Sequence, residues 1–217
     1  MSLLAKKLIV YDYLIGKIVQ RERELSQDSE DDVLFKITST ALMKYLYIVN
    51  VLSVSKESKS SLFDLFDNYK AFPHGPVEVD TYYNRNILVN YEMGYDIHNK
   101  RSFLRKCTRF TNEQILLFGL ESEPDSTTTL NEKNRLDKLI EEYNLSSYKD
   151  MVDRVFTLLE KATTFPRYNE VERLIDVTHQ DLWNAANYSI DNRLILTNHD
   201  LLVKEKKKIS DAIGLAA

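Results

Sequence analysis

Two histidines stand in settings where an imidazole could do work: His74 within Phe72-Pro73-His74-Gly75-Pro76-Val77, and His179 within Thr178-His179-Gln180-Asp181-Leu182-Trp183. An imidazole changes charge near neutral pH and can move a proton or ligate a metal. Either role needs company: a nucleophile in reach, paired carboxylates, or a spaced set of ligands. The chain has no Gly-rich phosphate loop, no His-x-x-x-His pair and no second cysteine beside Cys107. No metal, no cofactor and no catalysis are therefore expected. Each histidine reads first as a ring that ties a loop to the core by hydrogen bonds.

Recognition offers more material. Lys100, Arg101, Arg105, Lys106 and Arg109 are interleaved with Phe103 and Phe110, and Lys204, Lys206, Lys207 and Lys208 form a second run. Cations alternating with aromatics can follow a phosphate backbone and stack bases, which makes a nucleic-acid-binding regulator the alternative function. A net charge of −4 argues against a nucleic-acid platform, and solvated strand and helix faces account for both runs. Among thirteen tyrosines, Tyr69, Tyr82, Tyr83, Tyr91 and Tyr95 crowd one region. Tyrosine supplies contact area at low entropic cost, so an exposed cluster suits a protein partner or a second copy of the chain. Trp183 reads as a core anchor before a partner contact.

These residues need a scaffold, and 217 residues suffice for one with its own core. A single cysteine fits a reducing cytosol. Met1 to Val10 carries no cleavage signal, and Ala41 to Val54, broken by Lys44 and Asn50, is too short to span a bilayer. A cytoplasmic location is expected.

Apolar spacing predicts mostly helix. Leu4, Leu8, Tyr11, Ile15 and Ile18 form one stripe from about Leu3 to Glu24, with Lys6, Lys7, Asp12, Lys17 and Arg21 on the other side. Gln27 to Asp32 reads as a solvated acidic loop. Ala41 to about Leu52 is apolar nearly all round, which predicts a buried central helix, with Lys44 reaching out or paired. Leu62 to Phe66 reads as a helical turn or a strand. Pro76, with φ fixed and no amide proton, suits the first position of a helix running to about Asn84. Ile87 to Val89 and Ser102 to Leu104 read as paired short strands with Gly94 in the connection. Thr111 and Gly119 bracket a short helix, and Thr129 opens another to Tyr143. Ser147 starts a helix to about Ala162, one more begins near Asn169, and a last is capped near Thr197 or Asn198. The expected fold is mainly α: a compact multi-helix single domain with a buried central helix and a short β-hairpin.

Three separated segments resemble one family. Thr38 to Tyr47, with Leu42, Lys44 and Tyr47, is similar to the core helix of the Panacea domain, the SocA-like antitoxin family. Tyr69 to Val77, with Gly75, Pro76 and Val77, resembles its Gly-Pro-Val centre, although His74 stands where the family commonly has Tyr. Leu174 to Trp183, with Thr178 and His179, resembles its late Thr-His segment, with Leu182 where a Pro usually precedes the Trp. The resemblance implies a helical domain over residues 1–190, followed by a helical extension over 191–217. It also implies phage-associated toxin–antitoxin pairs, neutralisation of a cognate toxin by direct contact, and no chemistry of its own. Gly75, Pro76, Val77, Thr178, Lys44 and Tyr47 then read as architectural, and His74, Tyr82, His179 and Trp183 as partner-binding candidates.

Overall fold

The computed structural model describes residues 2–55, 60–72, 75–120, 129–162 and 199–215. In chain order these form α1 (Leu3–Ser26), α2 (Glu30–Lys36), α3 (Ser39–Ser53), a 3-10 turn (Leu62–Asp64), β1 (Tyr69–Phe72), β2 (Gly75–Glu78) and α4 (Val79–Tyr83). They continue with β3 (Tyr91–Asp96), β4 (Arg101–Lys106), α5 (Asn112–Phe118), α6 (Thr129–Glu142), α7 (Ser146–Leu159) and α8 (His199–Ala212). Helix dominates, as predicted, beside two two-stranded antiparallel hairpins. The chain divides into two compact units, Met1–Ser39 with Tyr83–Lys149, and Thr40–Tyr82 with Asp150–Ala217.

In the first unit α1 buries the predicted stripe of Leu8, Tyr11, Ile15 and Ile18. Its polar side departs from expectation: Lys7 and Asp12 are both 0% exposed. Helices α2 and α6 also pack on α1. Asp12 serves the segment after α4, where Ile87, Leu88, Val89 and Asn90 are buried but form no ladder. Buried backbone groups outside a ladder need side-chain partners. Asp12 Oδ2 accepts from the Asn90 amide at 2.8 Å, and Gln114 Nε2 donates to the Leu88 carbonyl. Gln114 is itself fixed by a capping box with Thr111 at the start of α5, which ends at the left-handed Gly119, as predicted.

The acidic run read as a solvated loop instead opens α2. Ser29 caps it and Glu30, Asp31 and Asp32 fill the first turn, where the amide ends favour carboxylates. The second hairpin is also shifted from its predicted position. Ser102 to Leu104 lie in β4, but the partner is Tyr91–Asp96, with Gly94 opposite Phe103 inside the ladder. A Cβ on Gly94 would sit 2.4 Å from the Phe103 ring, so the glycine accommodates an aromatic ring and makes no turn. The turn comes from Asp96, whose Oδ1 accepts from the His98 amide at 3.0 Å and the Asn99 amide at 3.2 Å, and from Lys100 at φ +49°. Hydrogen bonds from the Asn99 side chain and backbone hold the Asp96 carboxyl below the usual range.

In the second unit every residue of α3 from Ala41 to Leu52 is buried, as the predicted central helix requires. Asn50, 0% exposed, donates Nδ2 to the Tyr69 hydroxyl at 2.6 Å. Ser53 Oγ accepts from the Leu62 amide at 2.9 Å and so holds the 3-10 turn beneath the end of α3. Helices predicted from Thr129 and Ser147 are found as α6 and α7, and the last begins at His199. The helix expected near Asn169 and the proposed boundary at residue 190 lie outside the described residues.

Asp12→Ala strands the buried Asn90 amide without its acceptor. The expected loss is about 1–3 kcal/mol, seen as a lower urea midpoint at unchanged m-value.

Candidate interface

The Gly75-Pro76 stretch is built into a hairpin, which corrects the helix predicted from Pro76. β1 and β2 pair with Tyr69 opposite Glu78 and Phe72 opposite Gly75. Pro76 lies buried within β2, and the helix waits until Val79. Pairing with β1 claims this backbone, and the capping work falls to Glu78. Its Oε2 accepts from the Thr81 amide at 2.7 Å and from Thr81 Oγ1 at 2.5 Å. Gly75 has φ +127°, a conformation that L side chains rarely adopt. Tyr69 anchors the hairpin, packing edge-on to Tyr47 at 5.8 Å and to Phe63 at 5.6 Å.

The candidate residues distribute unevenly. Tyr82 is half-buried, its ring 6.0 Å from Phe72. Val77 is half-buried, and Lys44 and Tyr47 are buried in α3. His74, Thr178, His179 and Trp183 lie outside the described residues. The tyrosine cluster separates: Tyr69 and Tyr91 belong to the core, whereas Tyr83 and Tyr95 are 68% and 63% exposed. Carboxylate oxygens of Asp67, Glu78 and Asp80 come within 4.8 Å of one another. Protein donors already use them: Thr81 on Glu78, and Asn68 Nδ2 on Asp80 at 2.9 Å.

The cationic stretch is largely engaged by its own unit. Arg101 lies 4.6 Å over the Phe35 ring, Arg105 pairs with Glu92 at 2.8 Å, and Lys106 pairs with Glu30 at 3.1 Å. Phe103 packs on Phe35, and Phe110 lies under Arg135, so the interleaved aromatics are occupied as well. Lys100 and Arg109 are exposed. Between them Cys107 is half-buried, and burial pushes its thiol up, away from the thiolate a nucleophile needs.

A cleft of about 860 Å³ opens in the second unit, and no motif in the sequence pointed to it. Leu52 and Val54 from the end of α3, Met151, Val155 and Leu158 from α7, and Val203 from α8 supply its apolar lining. Among the described residues, Arg154, Lys204 and Lys207 stand exposed at its rim with one carboxylate, Asp211. Lys206 donates Nζ to the Val54 carbonyl and so ties α8 to the end of α3. The available signal was the lysine run at 204–208, which helical spacing sorts onto this face together with Val203 and Ser210.

The chain belongs to the family described as antitoxin SocA-like, Panacea domain, whose model matches residues 42–158, more than half of the 217 residues. No curated protein and no solved structure matches the chain. The matched span holds α3 from Leu42 onward, the Gly75-Pro76 hairpin and all but the last residue of α7.

A side chain at Gly75 is strained by its backbone, so Gly75→Ala is expected to cost about 1–3 kcal/mol in chemical denaturation. Tyr47 gives the opposite outcome. Its hydroxyl is buried and has no hydrogen-bond partner among the described residues. Burial, and then the charge of Glu205, pushes its pKa well above the usual phenol value. The neutral form is therefore favoured in the folded state, and this contribution is fully present below about pH 10 and lost as pH rises above it. Tyr47→Phe is expected to match or exceed the wild-type melting temperature at pH 7 and to flatten the loss of stability at alkaline pH.

Proposed function

We propose that the chain is a non-enzymatic antitoxin that acts in the cytoplasm and holds a cognate toxin inactive by direct contact. The observation that carries this reading is the family match over residues 42–158, which an antitoxin role accompanies. Two features are compatible with it. Among the described residues no helix is long and apolar enough to cross a membrane. The polar clusters described above are engaged in holding the fold: Glu78 caps α4, and Asp12 and Gln114 serve the loop before β3. The contact face of this reading includes His74, Tyr82, His179 and Trp183, with Tyr82 presented by α4 at the end of the hairpin.

The nucleic-acid alternative would draw on Lys100, Arg105 and Arg109, the exposed cations of that stretch, of which Arg105 is paired with Glu92. No second observation favours it.

Co-expression with the product of the adjacent gene tests the proposal. Growth should be rescued and the two proteins should co-purify. Tyr82→Ala should weaken capture about tenfold or more, as loss of an aromatic anchor does. Neither rescue nor capture, from a folded protein, would reject the antitoxin reading.

A further inference from the structure

The geometry points to the cleft of the second unit as the seat of an acidic amphipathic segment of a protein partner, about two helical turns long. This rests on the antitoxin reading in one respect, that the partner is a protein.

Length comes from the walls. Met151 to Leu158 on α7 and Val203 to Asp211 on α8 each run about 10–12 Å at 1.5 Å per residue. Along α7 the lining falls at Met151, Arg154, Val155 and Leu158, a single face at three- and four-residue steps. A groove of that length takes apolar anchors at i, i+3 or i+4, and i+7 of a docked helix.

Charge selects the flanks. In the described lining Arg154, Lys204 and Lys207 are exposed at the rim and outnumber Asp211. Lys204 and Lys207, three residues apart on α8, stand on one helix face and act jointly. Lys206 is committed to the Val54 carbonyl, where it meets the negative end of α3 and leaves the rim cations to a partner. Glutamates or aspartates beside the anchors would meet these cations, and a basic segment would be repelled. The described lining contains no aromatic ring on which a base could stack, which sets single-stranded nucleic acid aside.

The test uses the full chain and three fluorescein-labelled 12-residue helical peptides, read by anisotropy. One carries leucines at i, i+3, i+4 and i+7 with glutamates elsewhere, the second has lysine for glutamate, and the third has serine for leucine. The acidic leucine peptide should bind about tenfold or more tighter than both controls, with affinity falling as salt rises. Lys204→Glu with Lys207→Glu should reverse the preference toward the basic peptide. Lys100→Glu with Arg109→Glu, outside this unit, should leave it unchanged. Should the first pair disturb folding, Lys204→Gln with Lys207→Gln must still lower acidic-peptide affinity and reduce its salt dependence. Equal binding of all three peptides, or binding of octanoate with none of the peptide, overturns the proposal. Toxin capture separates the two readings. Capture unaffected by Lys204→Glu with Lys207→Glu removes the cleft and keeps the antitoxin. Peptide binding through the cleft without toxin capture or rescue does the reverse.

Discussion

The second unit depends on burying α3 on every side. A helix buried from Ala41 to Leu52 takes its polar groups out of water, where a bond from the protein offsets part of that cost. The Tyr47 hydroxyl and Asn50 Oδ1 nevertheless have no hydrogen-bond partner among the described residues. Asn50 is answered by the Tyr69 hydroxyl, and Ser53 by the Leu62 amide. Those two bonds set where the chain can return after α3. The 3-10 turn lies under the helix end, and β1 starts at the tyrosine that Asn50 holds. Tyr69 then packs its ring on Tyr47 and Phe63, and the hairpin follows from that anchor. The Gly75-Pro76 strand is thus a consequence of α3's burial as much as of its own backbone preferences.

The first unit meets a similar constraint with a loop. Residues 87–90 are buried without ladder partners, and the acceptors and donors arrive from far along the chain. Asp12 on α1, Gln114 on α5 and Arg135 on α6 each reach this segment. Polar residues that would suit chemistry if exposed are spent here on structure. The basic strand shows the same economy: Arg101, Arg105 and Lys106 bind the hairpin to α2 and to itself. Exposed ion pairs of this kind contribute about 0–1 kcal/mol each, so their main effect is to reduce the free positive charge.

Both units spend conspicuous polar residues on holding the fold. A fold whose conspicuous polar residues are committed internally leaves shape, apolar surface and residual charge at its surface. The cleft beside α8 combines all three, in a unit that also contains the Gly75-Pro76 hairpin.

Periodicity alone determined the helical class, the buried α3, the helices α5 to α7 and the helical last segment, because each follows from apolar spacing and caps within a few residues. The ordered Leu42, Gly75-Pro76 and Thr178-His179 segments suggested the family; the match over residues 42–158 covers the first two and ends before the third. Tertiary structure decided what local chemistry leaves open. Pro76 suits a helix start equally well in isolation, and only pairing with Tyr69–Phe72 makes it a strand residue. Gly94 reads as a turn until Phe103 lies across it. Asp12 and Lys7 read as solvated until the fold buries them and sets the Asn90 amide on Asp12. The cleft joins residues near 52, 155 and 204, and no window along the chain contains all three. Backbone preferences are local and survive in the sequence. Pairing, burial and the meeting of distant charges are set by which surfaces come together, and that only the folded chain decides.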